Sequence, residues 1–325
     1  MNKKILILII TMLLLTSITI PVVGIKNETK KTAYKIKSNK MSDIEKNPDD
    51  YTENWALLIL SCPLILAGYK LLFNDTIHIY RNLVKHGWKR SNIKIVDLFG
   101  VTASKKRIID GINWLESMED EDDKVLIYFS LHGGNLTDTE PLDEPDGMDE
   151  CIGAPFGKII TDDELGALFN KFDSKQIIAI FSSCHSGGMI DGDMDLKGDG
   201  RVILTACRPY EFSFEYGYGS NTAFSYFIIE GLKGAADKNQ DKNISAEELF
   251  DYAKVETIKH IDSCILHDLQ HPMGYDGYPS EDNNESELHI LNLDKKAVLS
   301  KNKIARNTLF FQLIRNLVNI KTSVE

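Results

Sequence analysis

Two stretches near the middle of the chain, KVLIYFSLHGG (residues 124–134) and QIIAIFSSCHSGG (residues 176–188), decide the fold. Each begins with a continuous apolar run of strand length, rich in β-branched and aromatic residues, which is typical of a strand buried on both faces in a parallel sheet. Each run then stops at a small-residue turn. His132 and Cys184 are therefore predicted at the carboxyl ends of two strands, where ligands bind in open α/β sheets.

Strand patterns and helix patterns alternate along the rest of this region. Further strands are predicted over residues 55–61, 93–98, 201–206 and 288–293. Helices are predicted over residues 71–86, 104–118, from about 162, 222–234 and 245–261. Strands separated by helical patterns form βαβ units, so we expect an α/β fold with a mostly parallel central sheet covered by helices on both faces.

The N-terminus has the pattern of an export signal. Two lysines precede an apolar stretch from Ile5 to about Ile20, and Pro21 and Gly24 then interrupt it. An uncleaved membrane anchor is the alternative, because residues 5–23 are just long enough to span a bilayer. We expect a secreted or cell-surface protein, with contact to the membrane only through such an anchor. The predicted segments are a signal peptide (1–24), a linker or pro-segment (25–50), the folded domain (51–295) and a helical tail (296–325).

Charge and cysteine content limit the classes of partner. The chain has 37 basic and 48 acidic residues and a net charge of −11, and no basic stripe offsets the acidic excess. This composition argues against nucleic acid as a partner, and the acidic clusters favour cations instead. The five cysteines, at positions 62, 151, 184, 207 and 264, are an odd number and do not resemble a disulfide framework. At least one thiol is therefore expected to be free.

A thiol and an imidazole at the carboxyl ends of strands can act as a nucleophile and its proton-transfer partner. The thiolate attacks a carbonyl, the imidazolium protonates the departing amine, and backbone N–H groups stabilise the oxyanion. The alternative is that Cys184 is an inert buried thiol and His132 a core histidine. Their joint placement at strand ends favours a cysteine hydrolase acting on a peptide or protein substrate. His185, beside the nucleophile, is expected to be structural.

Several motifs together resemble the caspase-like cysteine peptidases, which include caspases, metacaspases and legumains. HGG lies about fifty residues before SSCHSGG, the separation found in caspases. The likeness is closest to metacaspases and their prokaryotic relatives, and it extends over residues 53–280. It rests on Asn74-Asp75, DGMDEC (146–151), Asp162-Asp163, CHSG, and GLKGAADKNQDKNISAEEL (231–249). The caspase signature QAC[RQG]G is absent, which argues against strict cleavage after Asp.

The resemblance implies an oxyanion hole and a substrate pocket. The N–H groups of Gly133 and Cys184 would form the oxyanion hole, and Asp75 and Ser130 would contribute to the pocket for the residue before the cut. Metacaspases have a second acid two places before the cysteine, where this chain has Ser182. One carboxylate can still pair with Arg or Lys, but the loss of the other puts strict basic specificity in doubt. Alternatively, Asp75 serves only the helix dipole and cap.

The resemblance also implies a regulatory calcium ion. Asp149, Asp162, Asp163 and Asp191 match the carboxylates that hold calcium in metacaspases, and binding would order the two loops that flank the nucleophile. The alternative is a solvated acidic surface in which Asp162 caps its helix.

A second calcium site is predicted independently in the later part of the chain. The spacing of residues 237–248 fits the ligand positions of an EF-hand loop. The ligands would be Asp237, Asn239, Asp241, Asn243, Ser245 and Glu248. Lys242 stands where such loops have an invariant glycine, which costs strain in a left-handed conformation. The alternative is a plain turn with Ser245 as helix N-cap.

The sequence thus predicts an exported cysteine endopeptidase, with calcium stimulation and self-processing in the loop 191–200 as further expectations. A legumain-like transpeptidase or asparaginyl peptidase using the same dyad is the rival among enzymes. From another class, the rival is a catalytically idle calcium-binding surface module, although the intact His132 and Cys184 argue against it.

Overall fold

The computed structural model describes residues 52–61, 69–96, 103–139, 142–154, 158–193, 195–217, 220–264, 267–279 and 287–295. The predicted signal peptide, linker and C-terminal tail lie outside these ranges. No helix in the described part of the chain is both long enough and apolar enough to cross a membrane.

Strands and helices alternate along the described residues. The strands are β1 (Asn54–Ser61), β2 (Ile93–Val96), β3 (Lys124–Leu131), β4 (Gly133–Thr137), β5 (Met148–Ala154), β6 (Lys158–Thr161), β7 (Ile177–Ser182), β8 (Arg201–Thr205), β9 (Glu215–Tyr216), β10 (Asn221–Thr222), β11 (Asn243–Ser245), β12 (Met273–Asp276) and β13 (His289–Asn292). The α-helices are α1 (Tyr69–Lys85), α2 (Lys105–Glu116), α3 (Asp162–Phe169), α4 (Ala223–Glu230) and α5 (Ala246–Asp262).

The central sheet has six strands in the order β12-β8-β7-β3-β1-β2. All neighbours are parallel except the edge strand β12, which runs antiparallel to β8. One face of the sheet packs against buried side chains of α1, α4 and α5, and the other against those of α2 and α3. Because both faces are covered, the inner strands are mostly apolar, and the predicted fold class is confirmed.

Helix starts follow the capping chemistry of the sequence. Ser104 caps α2, and Thr161 and Ser245 each form a capping box, with Glu164 at the start of α3 and Glu248 at the start of α5. The predicted helices therefore begin within two residues of the observed ones, although α4 ends at Glu230 and a π-turn follows it.

One local prediction was wrong. The residues after His132 do not form a turn, because Gly133 and Gly134 begin β4 and pair with Ile152 and Cys151 of β5 in a separate three-stranded antiparallel sheet, β4-β5-β6. The last predicted strand is confirmed as β13, which pairs with β11 in a small sheet of its own. Both small sheets depend on partners distant in the sequence, which local patterns do not reveal.

Candidate active site

Two neighbouring strands of the central sheet bring His132 and Cys184 to the same edge. β3 and β7 are adjacent and parallel, with Ser130 opposite Ser182. His132 directly follows β3, and Cys184 lies two residues after the end of β7. Both residues line one cleft, together with residues of α1 and of the segment after β8. The predicted dyad therefore shares one site.

Gly133 allows the two strand ends to touch. A Cβ atom at this position would fall on the backbone carbonyl oxygen of Cys184 and lie 3.2 Å from the Cβ of Ser183. At Gly134, by contrast, the nearest atom would be the Cys151 Sγ, at an ordinary 3.8 Å. The β4-β5 hairpin also holds His132 in place, because the His132 carbonyl accepts a 2.8 Å hydrogen bond from the N–H of Gly153 in β5. The first glycine of HGG is therefore required sterically.

The environment of the dyad disfavours charge on both groups. Cys184 is half-buried, and burial raises the pKa of its thiol, although the Ser213 N–H, 3.4 Å from Sγ, acts in the opposite direction. Burial also lowers the pKa of His132, even though this side chain is partly open to solvent in the cleft. The resting pair is therefore a neutral thiol and a neutral imidazole at neutral pH. Sequence reasoning missed Ser213, because a backbone donor carries no residue-type signal.

The His185 side chain does not line the cleft that contains His132 and Cys184. Its backbone is in the left-handed region, with φ 57°, and its Nδ1 lies 2.6 Å from the carbonyl oxygen of Pro209. The ring packs edge-on against Phe212, and the His185 N–H donates to the carbonyl of Glu211. These contacts tie the turn after Cys184 to the segment that carries Ser213.

Asp75 lies beneath the cleft instead of lining it. The side chain is fully buried, and its carboxylate accepts hydrogen bonds from the Asn221 amide at 2.6 Å and from the Thr222 N–H and hydroxyl at 3.2 and 3.0 Å. Burial raises the pKa of Asp75 to about 7, and the donated hydrogen bonds only partly offset this. Asp75 can therefore act on a ligand only through its partners. Neither Asn221 nor Thr222 was identified from the sequence.

A chain of hydroxyl groups extends from Thr222 towards the sheet. The Ser182 hydroxyl lies 2.7 Å from that of Thr222 and accepts a 2.7 Å bond from Ser225, which in turn lies 2.6 Å from the Tyr128 hydroxyl. Ser182 and Thr222 line the cleft. Ser130, by contrast, is buried and donates to the carbonyl of Leu72 at 3.2 Å. A ligand in the cleft would meet Ser182 and Thr222 before Asp75.

The four aspartates expected to bind calcium do not converge on one point. The carboxylate oxygens of Asp191 lie within 4.8 Å of those of Glu144 and Asp195. Asp162 is fully buried, and it accepts hydrogen bonds from the N–H groups of Glu150 and Asp163. Glu144 and Asp195 were not identified from the sequence, because the loops that carry them have no fixed spacing.

Glu150 lies beside this acidic cluster, next to the turn that follows Cys184. It is fully buried, and neither of its carboxylate oxygens has a hydrogen-bond partner among the described residues. A Cβ at Gly188, in the turn after Cys184, would overlap its carboxylate. Burial and then the charges of Asp191 and Asp162 raise the pKa of Glu150 to about 9. The cluster therefore offers several unsatisfied hard oxygen atoms, a donor set that suits Ca²⁺.

Asp149 and Asp163 also belong to this acidic surface. Burial, and then Asp138, raise the pKa of Asp149, while burial, Asp143 and Asp138 raise that of Asp163. Because the charge of Asp143 also acts on Glu144 and Asp195, Asp163 is electrostatically linked to the cluster around Asp191.

The EF-like loop adopts the expected strained turn. Lys242 has φ 71°, the left-handed conformation for which glycine is preferred. The Glu248 carboxylate accepts from the N–H groups of Asn239 and Ser245, both at 3.4 Å. The carboxylate oxygens of Asp237, Asp241 and Glu248 do not all lie within 4.8 Å of one another. Ser245 caps α5, as the alternative interpretation expected.

The region that carries His132 and Cys184 is similar to known proteins. Residues 72–193 match the metacaspase, peptidase C14 domain. The chain is 30% identical to Metacaspase-4 of Arabidopsis thaliana over 153 residues, which is 46% of this chain and 37% of that protein. It is 31% identical to Metacaspase-1 of Lodderomyces elongisporus (51% and 43%) and 32% identical to Metacaspase-1 of Schizosaccharomyces pombe (36% and 30%). Residues 72–193 are therefore similar to a metacaspase peptidase domain, and the chain spans less than half the length of these curated relatives.

The raised pKa of Cys184 predicts how its reactivity depends on pH. Only the thiolate reacts with iodoacetamide, so the alkylation rate of Cys184 should still be rising above pH 9 in the absence of substrate. Peptide mapping by mass spectrometry separates Cys184 from the buried Cys151 and Cys207 and from the exposed Cys264, all free thiols. A rate that reaches its plateau below pH 7 would instead indicate a resting thiolate–imidazolium pair.

Proposed function

We propose that the protein is a cysteine endopeptidase that hydrolyses peptide bonds with Cys184 as nucleophile and His132 as general base and acid. The observation that carries this proposal is the contact between the two strand ends. It places a half-buried thiol and an imidazole in one cleft, with Gly133 against the backbone of the nucleophile. The match of residues 72–193 to a peptidase domain supports the same chemistry.

The reaction proceeds in two halves. His132 takes the proton from Cys184 Sγ, and the thiolate attacks the scissile carbonyl carbon while the N–H groups of Gly133 and Cys184 stabilise the oxyanion. The C–N bond then breaks, and the amine leaves with the proton from His132. Water, deprotonated by His132, attacks the thioester, which releases the carboxyl product and returns the proton to Cys184. Since both groups are neutral at rest, proton transfer accompanies attack.

Removal of either dyad member should abolish hydrolysis. Cys184→Ala and His132→Ala are each expected to lower kcat/KM on a peptide library by about a thousandfold or more, because the two groups act as a unit. Neither side chain lies in the described apolar core, so Tm should change little. Near-normal turnover by either variant would refute the assignment, and absence of turnover in the wild type under all conditions would favour an idle binding module.

The two glycines after His132 provide a matched pair of variants. Gly133→Ala should lower kcat/KM by about a hundredfold or more, because the added methyl group displaces the Cys184 carbonyl and the oxyanion donors with it. Gly134→Ala meets only an ordinary contact and should retain most of the activity. Equal activities of the two variants, measured beside their Tm values, would contradict the proposed contact.

We further propose that the cleft prefers Arg or Lys before the cut, with Asp75 acting through Thr222. Because its pKa is raised to about 7, Asp75 is mostly neutral below pH 7 and charged above it. The ratio of kcat/KM for an Arg peptide to that for a matched Gln peptide should therefore increase as pH rises from 6 to 8. In Asp75→Asn the ratio should not change with pH. A wild-type preference for Asn or Asp before the cut would refute the proposed basic specificity.

We propose that calcium stimulates the enzyme by binding the acidic cluster below the turn that follows Cys184. The unpartnered oxygens of Glu150, Glu144, Asp191 and Asp195 support this, and the family resemblance adds Asp149, Asp162 and Asp163. A cation there would relieve like-charge repulsion and fix the turn against β5.

Chelation should then lower both activity and Tm in the wild type. Glu150→Gln should raise the free calcium needed for half-maximal activity by about tenfold, since the number of ligand charges tunes affinity. Glu256→Gln, which removes a carboxylate from α5, is the control, and Asp237→Asn tests the EF-like loop through Tm alone. A wild type indifferent to chelator and to added calcium in both assays would refute calcium binding.

Export and self-processing are the remaining proposals. We propose cleavage of the signal near Gly24, which N-terminal sequencing of the exported protein would detect. In the loop 191–200, Lys197 is half-buried, whereas the Arg201 guanidinium is buried and donates to the carbonyls of Leu196 and Lys197 and to Asn170. Lys197 is therefore the better candidate for a processing site.

A further inference from the structure

A second cavity lies at the end of the central sheet opposite the dyad. It has a volume of about 130 Å³. Asn54 and Lys124, the first residues of β1 and β3, are paired with each other and line it. On the other side it is lined by Asn243 of β11 and by β13 with the residues that follow it. The cavity therefore separates the start of the central sheet from the small β11-β13 sheet.

Two histidines present unpaired ring nitrogens here. His86, which follows α1 and lines the cavity, is 4% exposed, and neither of its ring nitrogens has a hydrogen-bond partner among the described residues. Burial and then the charge of Lys85 lower the pKa of His86, and the backbone carbonyls of Asn292 and Lys295, which face the ring, offset this only in part. The Nδ1 of His289, which also lines the cavity, is buried and unpaired as well. Buried imidazoles without partners are costly unless a ligand satisfies them.

The lining is basic in an acidic protein. Four of the ten lining residues are His86, Lys124, His289 and Lys295, and none of the ten is acidic, whereas the chain as a whole has a net charge of −11. The hydrogen bond from the Asn243 N–H lowers the pKa of the exposed Asp241, and the nearby His289 adds a smaller effect in the same direction. Asn54 and Asn292 add amide groups to the lining. This combination of N–H donors and positive charge is complementary to an anion.

We propose that this cavity binds a small oxyanion of the phosphate or sulfate type, held by His86, His289 and Lys295. A divalent metal fits less well, because two lysines line the cavity and no carboxylate does. The bound anion would link the start of the central sheet to β13. Trp88 already contacts β13, because its indole N–H donates a 3.2 Å hydrogen bond to the Ile290 carbonyl. Binding would stabilise the fold without blocking the cleft.

The test is a melting-temperature titration of full-length Cys184→Ala, which avoids self-cleavage. Inorganic phosphate and, separately, sulfate are titrated against chloride at constant ionic strength. Either oxyanion should raise Tm saturably, because it binds the folded state alone. His86→Gln should raise the half-saturating concentration by about tenfold and Lys295→Gln by about fivefold, as expected for the loss of charge-assisted hydrogen bonds. Lys171→Gln, an exposed lysine outside the cavity, should behave like the parent.

Three results would overturn the proposal. The first is a Tm that follows ionic strength alone. The second is a saturable response that His86→Gln and Lys295→Gln leave unchanged. The third is saturation by zinc but not by either oxyanion, which would mark a metal site. If His86→Gln does not fold, the exposed Lys295→Gln variant decides the question alone.

Discussion

The site depends on the in-register parallel pairing of β3 and β7. Phe129 and Phe181 stack with ring centroids 4.2 Å apart on one face of this pair, and both are fully buried. The pairing fixes Ser130 opposite Ser182, so the chain leaves the sheet at His132 and Cys184 on the same edge. A one-residue slip would turn every side chain of one strand to the other face and would separate the stacked Phe129 and Phe181 rings.

The sequence alone predicted the features that depend on local residue patterns. The apolar runs ending in HGG and SSCHSGG located two central strands and placed His132 and Cys184 just beyond their ends, because strands buried on both faces have a composition of their own. The partners of these residues could not be predicted. Ser213 contributes only a backbone N–H, and the Thr222 bonds to Asp75 join positions 147 residues apart. Glu150 lies within the motif DGMDEC, but its burial became visible only in the structure.

The acidic surface shows why spacing alone did not identify which carboxylates lie together. Asp191 lies with Glu144 and Asp195, and Glu150 lies below the turn after Cys184. Repulsion among these carboxylates can be relieved by binding protons or by binding a cation. The raised pKa values of Glu150 and Asp162, about 9 and about 8, correspond to the first case, in which the two groups are protonated at neutral pH. Glu150 is buried against Gly188, in the turn that follows Cys184.

The most direct test of the account is covalent capture of the nucleophile in the cleft. A peptidyl acyloxymethyl ketone with Arg before the reactive carbon, incubated with the full-length protein at pH 8, should label Cys184 alone. Intact mass and peptide mapping would report one adduct, and prior mixing with a competing Arg peptide should slow its formation. Labelling at the exposed Cys264 in place of Cys184, or labelling of Cys184 that the competing peptide does not slow, would contradict the proposal that the two strand ends form one peptide-binding active site.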